Sequence, residues 1–109
     1  TIIFTGATAS FRGGAGYSAF AGAKHALRAL AQSMARELGP KNIHVAHTII
    51  DGAIDSNFIR ENVPNVDELR ANDAVLDPDA IAQNYVMLHK QTRTAWTHEL
   101  DMRPWSEKW

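Results

Sequence analysis

Cysteine is absent from the 109 residues, which excludes disulfides, thiolate nucleophiles and Cys-ligated metals and agrees with a cytoplasmic setting. An excess of one charge is lacking too. With 11 Lys plus Arg against 12 Asp plus Glu, no basic surplus exists to neutralise phosphates, and nucleic-acid binding is not expected. No apolar run approaches the roughly 20 residues that span a bilayer, and no charged leader precedes an apolar segment, so no membrane association is expected. Internal repeats and low-complexity stretches are missing as well. What remains is an ordinary globular composition, 45% hydrophobic and 21% charged, on a chain long enough for one small core and too short for two. Thr1 stands where an initiator Met would be, and Thr1 to Thr5 already reads as a buried strand. Residues 1–109 are therefore expected to form one partial domain that further chain precedes.

Thr1-Ile-Ile-Phe-Thr5 is apolar and β-branched without alternation and runs into Gly6, the pattern of a parallel strand buried on both faces. Phe11 to Gly16 holds three glycines and reads as a loop. Helical spacing then takes over: Tyr17, Phe20, Lys24, Leu27, Ala31, Met34 and Leu38 recur at steps of three and four. Gly39 is expected in a left-handed cap, and Pro40 blocks continuation. Beside this stripe runs a row of small residues, Ala19, Ala23 and Ala26 with Leu30 and Ser33, which suits the close approach of another helix. Ile43 to Ile50 places apolar residues on alternate positions and closes on Asp51-Gly52, which predicts a second strand and a turn. Asp55 or Ser56 caps a short helix toward Pro64, whereas Asn65 to Leu76 fits no period.

Asp77-Pro78 supplies an N-cap and a first helical position, with Ile81, Tyr85 and Leu88 on the apolar face down to about Lys90. Thr94 to Leu100 alternates as a third strand, and Met102 to Trp109 is expected to pack over a surface or a partner. Strand, long helix, strand, helical insertion, helix and strand in that order predict an α/β fold: a parallel three-stranded sheet with flanking helices.

The run from Phe20 to Leu38, followed by Ile43-His-Val45 and Asp51-Gly52, resembles the second half of a short-chain dehydrogenase/reductase, and the resemblance spans nearly the whole chain. It implies the C-terminal portion of a Rossmann-like domain and an oxidoreductase that takes NAD or NADP and a small carbonyl or alcohol substrate. Gly-Ala-Thr-Ala-Ser after the first strand is not the glycine-rich pyrophosphate loop of such a domain, because its glycines fall late, at Gly13, Gly14 and Gly16. That loop and the adenosine-binding acidic residue belong to the half that would precede Thr1, so dinucleotide binding by this chain alone is expected to be weak.

The family's catalytic helix carries Tyr-x-x-x-Lys, and here Phe20 stands at the Tyr position while Lys24 keeps the Lys position. Phenylalanine has no ionisable hydroxyl and cannot act as a general acid. Lys24 still implies a ribose-binding ammonium. The family's Ser aligns near Ala7, with Thr8 and Ser10 close by, and Ser10 is the favoured substitute. Tyr17 lies one helical turn before Phe20 and shares its face, so Ser10, Tyr17 or water is expected to supply the proton. Asp51-Gly52 replaces the family's Pro-Gly, and Ser56 stands where its Thr bonds the nicotinamide side; Gly52 and Ser56 thus join Lys24 as expected cofactor contacts. His44 and His47 lie an odd number of positions apart on a strand and should face opposite ways, which argues against a metal. The chain is then either an oxidoreductase that is impaired or inactive by itself, or a non-catalytic module that oligomerises through the helix of residues 17–38 or through an exposed sheet edge.

Overall fold

The structure, a computed structural model, describes residues 1–109. Strand β1 (Ile2–Ala7) passes through a 3-10 turn at Thr8–Ser10 and a loop into helix α1 (Ser18–Leu38). Strand β2 (Val45–Ile50) comes next, then the short helices α2 (Asn57–Asn62) and α3 (Val66–Ala71), helix α4 (Pro78–Lys90) and strand β3 (Glu99–Met102). The sheet order is β1-β2-β3 and both pairings are parallel, with Phe4 opposite His47 and His47 opposite Glu99. This is the Rossmann-like α/β arrangement that the element order predicts. No helix is long and apolar enough to cross a membrane.

Every residue of β2 is buried, polar ones included. Successive side chains of a strand point to opposite faces, and the partners of His47 and Thr48 show what covers each face. His47 Nδ1 donates to Glu99 Oε2 at 3.1 Å, and Arg28 of α1 donates to both oxygens of Glu99 at 2.8 and 2.6 Å. Thr48 meets the Tyr85 hydroxyl of α4 at 2.8 Å, and the same hydroxyl lies 2.6 Å from Thr5 Oγ1. Helix α1 therefore covers one face and α4 the other. Small residues let α1 sit close, with Ala21 and Ala31 buried against the sheet, while α4 contributes the fully buried Leu88.

Several boundaries differ from the expectation. The third strand is Glu99–Met102 and not Thr94–Leu100, because Arg93–Ala95 forms a 3-10 turn and Gln91 captures Trp96 and Thr97. Gln91 Oε1 accepts from the Thr97 amide at 2.8 Å and its backbone carbonyl accepts from Trp96 Nε1 at 3.3 Å, so pairing begins only where His47 N donates to His98 O at 2.7 Å. Gly39 is right-handed at φ −54°, and Asn42 takes the left-handed position at φ 63° after a 3-10 turn over Gly39–Lys41. Asn65 to Leu76, which lacks a period, contains α3. Ser56 caps α2 and Asp77 caps α4 through its carboxylate. The C-terminal tail packs on the chain itself: Trp105 Nε1 donates to Asn72 O at 3.0 Å, and Arg103 lies 4.1 Å over the Trp109 ring.

Gly6 is held to hydrogen as its side chain by the groups that stand over β1. A methyl group there would overlap the His47 imidazole, with Cε1 at 2.7 Å, and would approach the Ser10 hydroxyl at 2.6 Å. Both neighbours are fully buried and cannot move aside. Gly6→Ala is expected to lower stability by about 1–3 kcal/mol or more, read as a fall in the urea midpoint.

The Arg28–Glu99–His47 chain also sets how the fold responds to acid. The hydrogen bond from Arg28 holds Glu99 below the usual carboxylate range, and the same pair raises Arg28. Burial pushes His47 below its ordinary 6.5, against the opposing pull of Glu99. For both groups the folded value lies under the unfolded one, so the unfolded chain binds the proton first as pH falls. The stabilisation is complete above the ordinary histidine value and is lost as pH drops through it, first from His47 and then, below the ordinary carboxylate range, from Glu99. The urea midpoint should fall between about pH 7.5 and 5.5 in the parent chain, and the His47→Gln variant should show a smaller fall over the same interval.

Candidate active site

A cavity of about 590 Å³ opens at the carboxyl ends of β1 and β2. Ala7, Thr8 and Ala9 line it from the end of β1, Arg12, Gly13 and Gly14 from the loop, Tyr17 and Phe20 from the start of α1, and Ile50 and Gly52 from the end of β2. Such a mouth is where open parallel sheets place their ligands. The local reasons are plain in the chain. β1 ends in a 3-10 turn that swings its next residues across the sheet end, and Gly16 at φ 85° turns the loop back so that α1 begins beside it.

The expected site residues divide by location. Tyr17, Phe20 and Gly52 share the cavity wall. Tyr17 and Phe20 remain 62% and 48% exposed, because at this end of α1 the apolar stripe faces the opening and no longer the sheet. Lys24 sits behind Phe20: its Nζ is 5.9 Å from the Phe20 ring centre and donates to Thr5 O at 2.9 Å. Ser10 is not on the wall. Its hydroxyl is fully buried, accepts from the Ala7 amide at 3.0 Å, and lies over Gly6 next to the unpartnered Nε2 of His47. Ser56 serves as the N-cap of α2, accepting from Ile59 N at 3.4 Å, outside the cavity lining. His44 stacks on Trp96 with ring centres 4.8 Å apart and bonds Thr97 O, whereas His47 engages Glu99, so the two histidines serve separate contacts.

Asp51 and Gly52, in the turn after β2, are fixed from two directions. Gly52 adopts φ 142° under the C-terminal tail, and a Cβ there would come within 2.9 Å of Pro104 Cδ. Asp51 is completely buried. Thr8 Oγ1 donates to its Oδ1, Arg103 Nη1 lies 2.9 Å from Oδ2, and Arg12 Nη2 stands 3.9 Å from Oδ1. A buried carboxylate without such partners would carry a large desolvation cost. Arg103 is shared with Asp101, whose hydrogen bond raises the guanidinium above its ordinary value. Farther out, a hydrogen bond from Arg60 holds Asp55 low and the nearby Arg70 adds to it, which ties α2 to α3. Arg12 and Arg103 carry no sequence signal that marks them as site neighbours. The first hides in a glycine-rich loop, and the second reaches Asp51 from the far end of the chain.

The family model described as enoyl-(acyl carrier protein) reductase matches residues 1–98. Among solved structures, a short-chain dehydrogenase from Rhodopseudomonas palustris is 49% identical and covers 95% of this chain and 38% of its own, with a TM-score of 0.69. The closed form of a serine dehydrogenase complexed with NADP+ covers 99% of this chain and 45% of its own at 15% identity, with a TM-score of 0.74; at that identity the likeness is one of fold. No curated protein matches. The chain spans less than half the length of either solved relative. The parallel sheet, the helix carrying Phe20 and Lys24 at the mouth of its strands, and a family match over nearly every residue agree, and the chain belongs to the short-chain dehydrogenase/reductase family.

Proposed function

We propose that these residues are the C-terminal, substrate-facing part of an NAD(P)-dependent oxidoreductase that acts on a small carbonyl or alcohol compound in the cytoplasm. The observation that carries this reading is the cavity at the carboxyl ends of β1 and β2, with Lys24 beside it. Its size is in the range of ligand sites. Its wall combines apolar surface from Ala7, Ala9, Phe20 and Ile50 with the polar Thr8, Arg12 and Tyr17, which fits a flat, weakly polar nicotinamide ring and a small substrate. When bound, the nicotinamide supplies or receives the hydride.

The chain's own residues do the rest. Lys24 spends one N–H on Thr5 O and keeps two for ribose hydroxyls. Phe20 offers a hydrophobic wall and holds no exchangeable proton. Gly52 lines the cavity with its backbone while Pro104 covers the side where a Cβ would stand, and the Ser56 hydroxyl, which accepts from Ile59 N outside the cavity lining, retains its proton for a cofactor group that reaches beyond the cavity. Nothing in these residues cradles a pyrophosphate, so tight dinucleotide binding needs the half of the domain that precedes Thr1 in this reading.

A second reading has its own observation. Ala19, Ala23, Ala26, Leu30 and Ser33 are all exposed along α1, and β1 has a sheet neighbour on one side only. A non-catalytic module that pairs with a second copy through this helix or edge would cover both. Sedimentation should then show a dimer that Ala23→Arg dissociates, and a compact monomer at high concentration counts against this reading.

The main test is dinucleotide binding by calorimetry and NAD(P)H oxidation against a panel of carbonyl compounds, with the preceding half joined to residues 1–109. Binding, and turnover of at least one carbonyl, is the expected result. The proposal fails if the joined protein neither binds a dinucleotide nor reduces any member of the panel. Lys24→Met should weaken dinucleotide binding by roughly tenfold or more, as expected for the loss of a charge-assisted hydrogen bond.

A further inference from the structure

Phe20 leaves the proposed reaction without its usual proton-exchanging group, and two hydroxyl-bearing residues line the cavity, Tyr17 and Thr8. They differ in the groups that stand behind them. Tyr17 is 62% exposed, and its ring borders open solvent. Thr8 is half-buried, and its hydroxyl donates to Asp51, a carboxylate with no exposure at all. Asp51 is held there by Arg103 from the tail and faced by Arg12 from the loop, while Asp101 draws on the same Arg103 guanidinium and Glu107 lies near it. A residue that lines the cavity and whose hydroxyl hands its hydrogen to a fixed carboxylate offers a path for a proton to leave the substrate.

We infer that Thr8 exchanges the proton with the substrate oxygen and that Asp51 receives it through Thr8. The inference rests on the oxidoreductase reading. In alcohol oxidation the substrate O–H bond breaks and its proton passes to Thr8 Oγ1, while the proton that Thr8 held passes to Asp51 Oδ1. The electron pair of the substrate C–H bond leaves as hydride to the oxidised nicotinamide dinucleotide that this reading requires. The products are a carbonyl compound, a protonated Asp51 and the reduced dinucleotide. Carbonyl reduction runs the same transfers backward. Thr8 is the catalytic residue in this scheme and Asp51 acts through it; Arg103 fixes the carboxylate so that Oδ1 faces the hydroxyl.

The test uses residues 1–109 with 13C-labelled aspartate carboxyls, cyclohexanol as the alcohol probe, and the variants Thr8→Val and Thr8→Ser. Asp51 is assigned by its loss in Asp51→Asn, and backbone spectra check that each variant folds. Cyclohexanol should shift the Asp51 carboxyl resonance in the parent and in Thr8→Ser, and leave it in place in Thr8→Val. A resonance that stays still in the parent, or moves equally in Thr8→Val, overturns the inference. In the joined protein, Thr8→Val and Asp51→Asn should lower alcohol-oxidation kcat by roughly 10²-fold or more with KM and dinucleotide affinity little changed, while Thr8→Ser keeps most of the rate. Dinucleotide binding without any Asp51 response sinks this inference alone, whereas absent dinucleotide binding sinks the oxidoreductase reading itself.

Discussion

β2 lies at the centre of the sheet and is closed off from water along its whole length, yet His47 and Thr48 within it, and Asp51 just beyond it, are polar. A polar group buried in this way destabilises the fold unless a partner meets it. Each of the three is met from a different direction. His47 is reached from α1 and β3 through Arg28 and Glu99, Thr48 from α4 through Tyr85, and Asp51 from the β1 turn and the tail through Thr8 and Arg103. The rest of the chain is arranged around these demands. Moving any covering element away would expose a polar group inside the sheet with nothing to replace its partner.

The same constraint places the cavity. Because Thr8 must reach Asp51, the 3-10 turn after β1 is drawn across the end of β2, and the glycine loop beyond that turn brings α1 back beside the opening. Phe20 and Tyr17 arrive at the wall as a consequence of where α1 starts. Ser10 goes the other way. It falls on the inward side of that turn, against Gly6 and His47, and contributes to the interior.

Much of the fold was legible because its signals are local. The β-branched run of Ile2 and Ile3, the three-four spacing of α1 and the Asp77-Pro78 start of α4 each depend on neighbours in sequence, and each element is present, although β1 runs Ile2–Ala7 at the sheet edge and is fully buried only at Gly6, not on both faces as its composition predicts. The failures share a cause, which is competition from distant partners. Thr94 to Thr97 alternates as a strand should, but Gln91 takes its hydrogen bonds first. Gly39 suits a left-handed cap, but the chain makes one more tight turn and gives that conformation to Asn42. At the site, spacing put Tyr17, Phe20 and Lys24 on one helix face, and the family resemblance marked them as site positions. Which of Thr8 and Ser10 lines the cavity and which lies wholly buried was not legible, because a single turn over Thr8–Ser10 decides it. Arg103 on Asp51 was beyond reach, since nothing near either residue announces the other.

Lys24 has a second bearing, on the flank of the sheet. Ile2 N donates to His44 O, so the even-numbered residues of β1 turn their backbone toward β2, and Thr5 presents its carbonyl to the side where no strand lies. Lys24 Nζ is bonded to that carbonyl. A strand docking along this margin meets the ammonium at the acceptor it needs, and lysines on exposed margins discourage indiscriminate pairing of this kind. Any strand that paired along this margin would have to take Thr5 O from Lys24, so sheet extension on the β1 side and the direction of the Lys24 charge are one linked event.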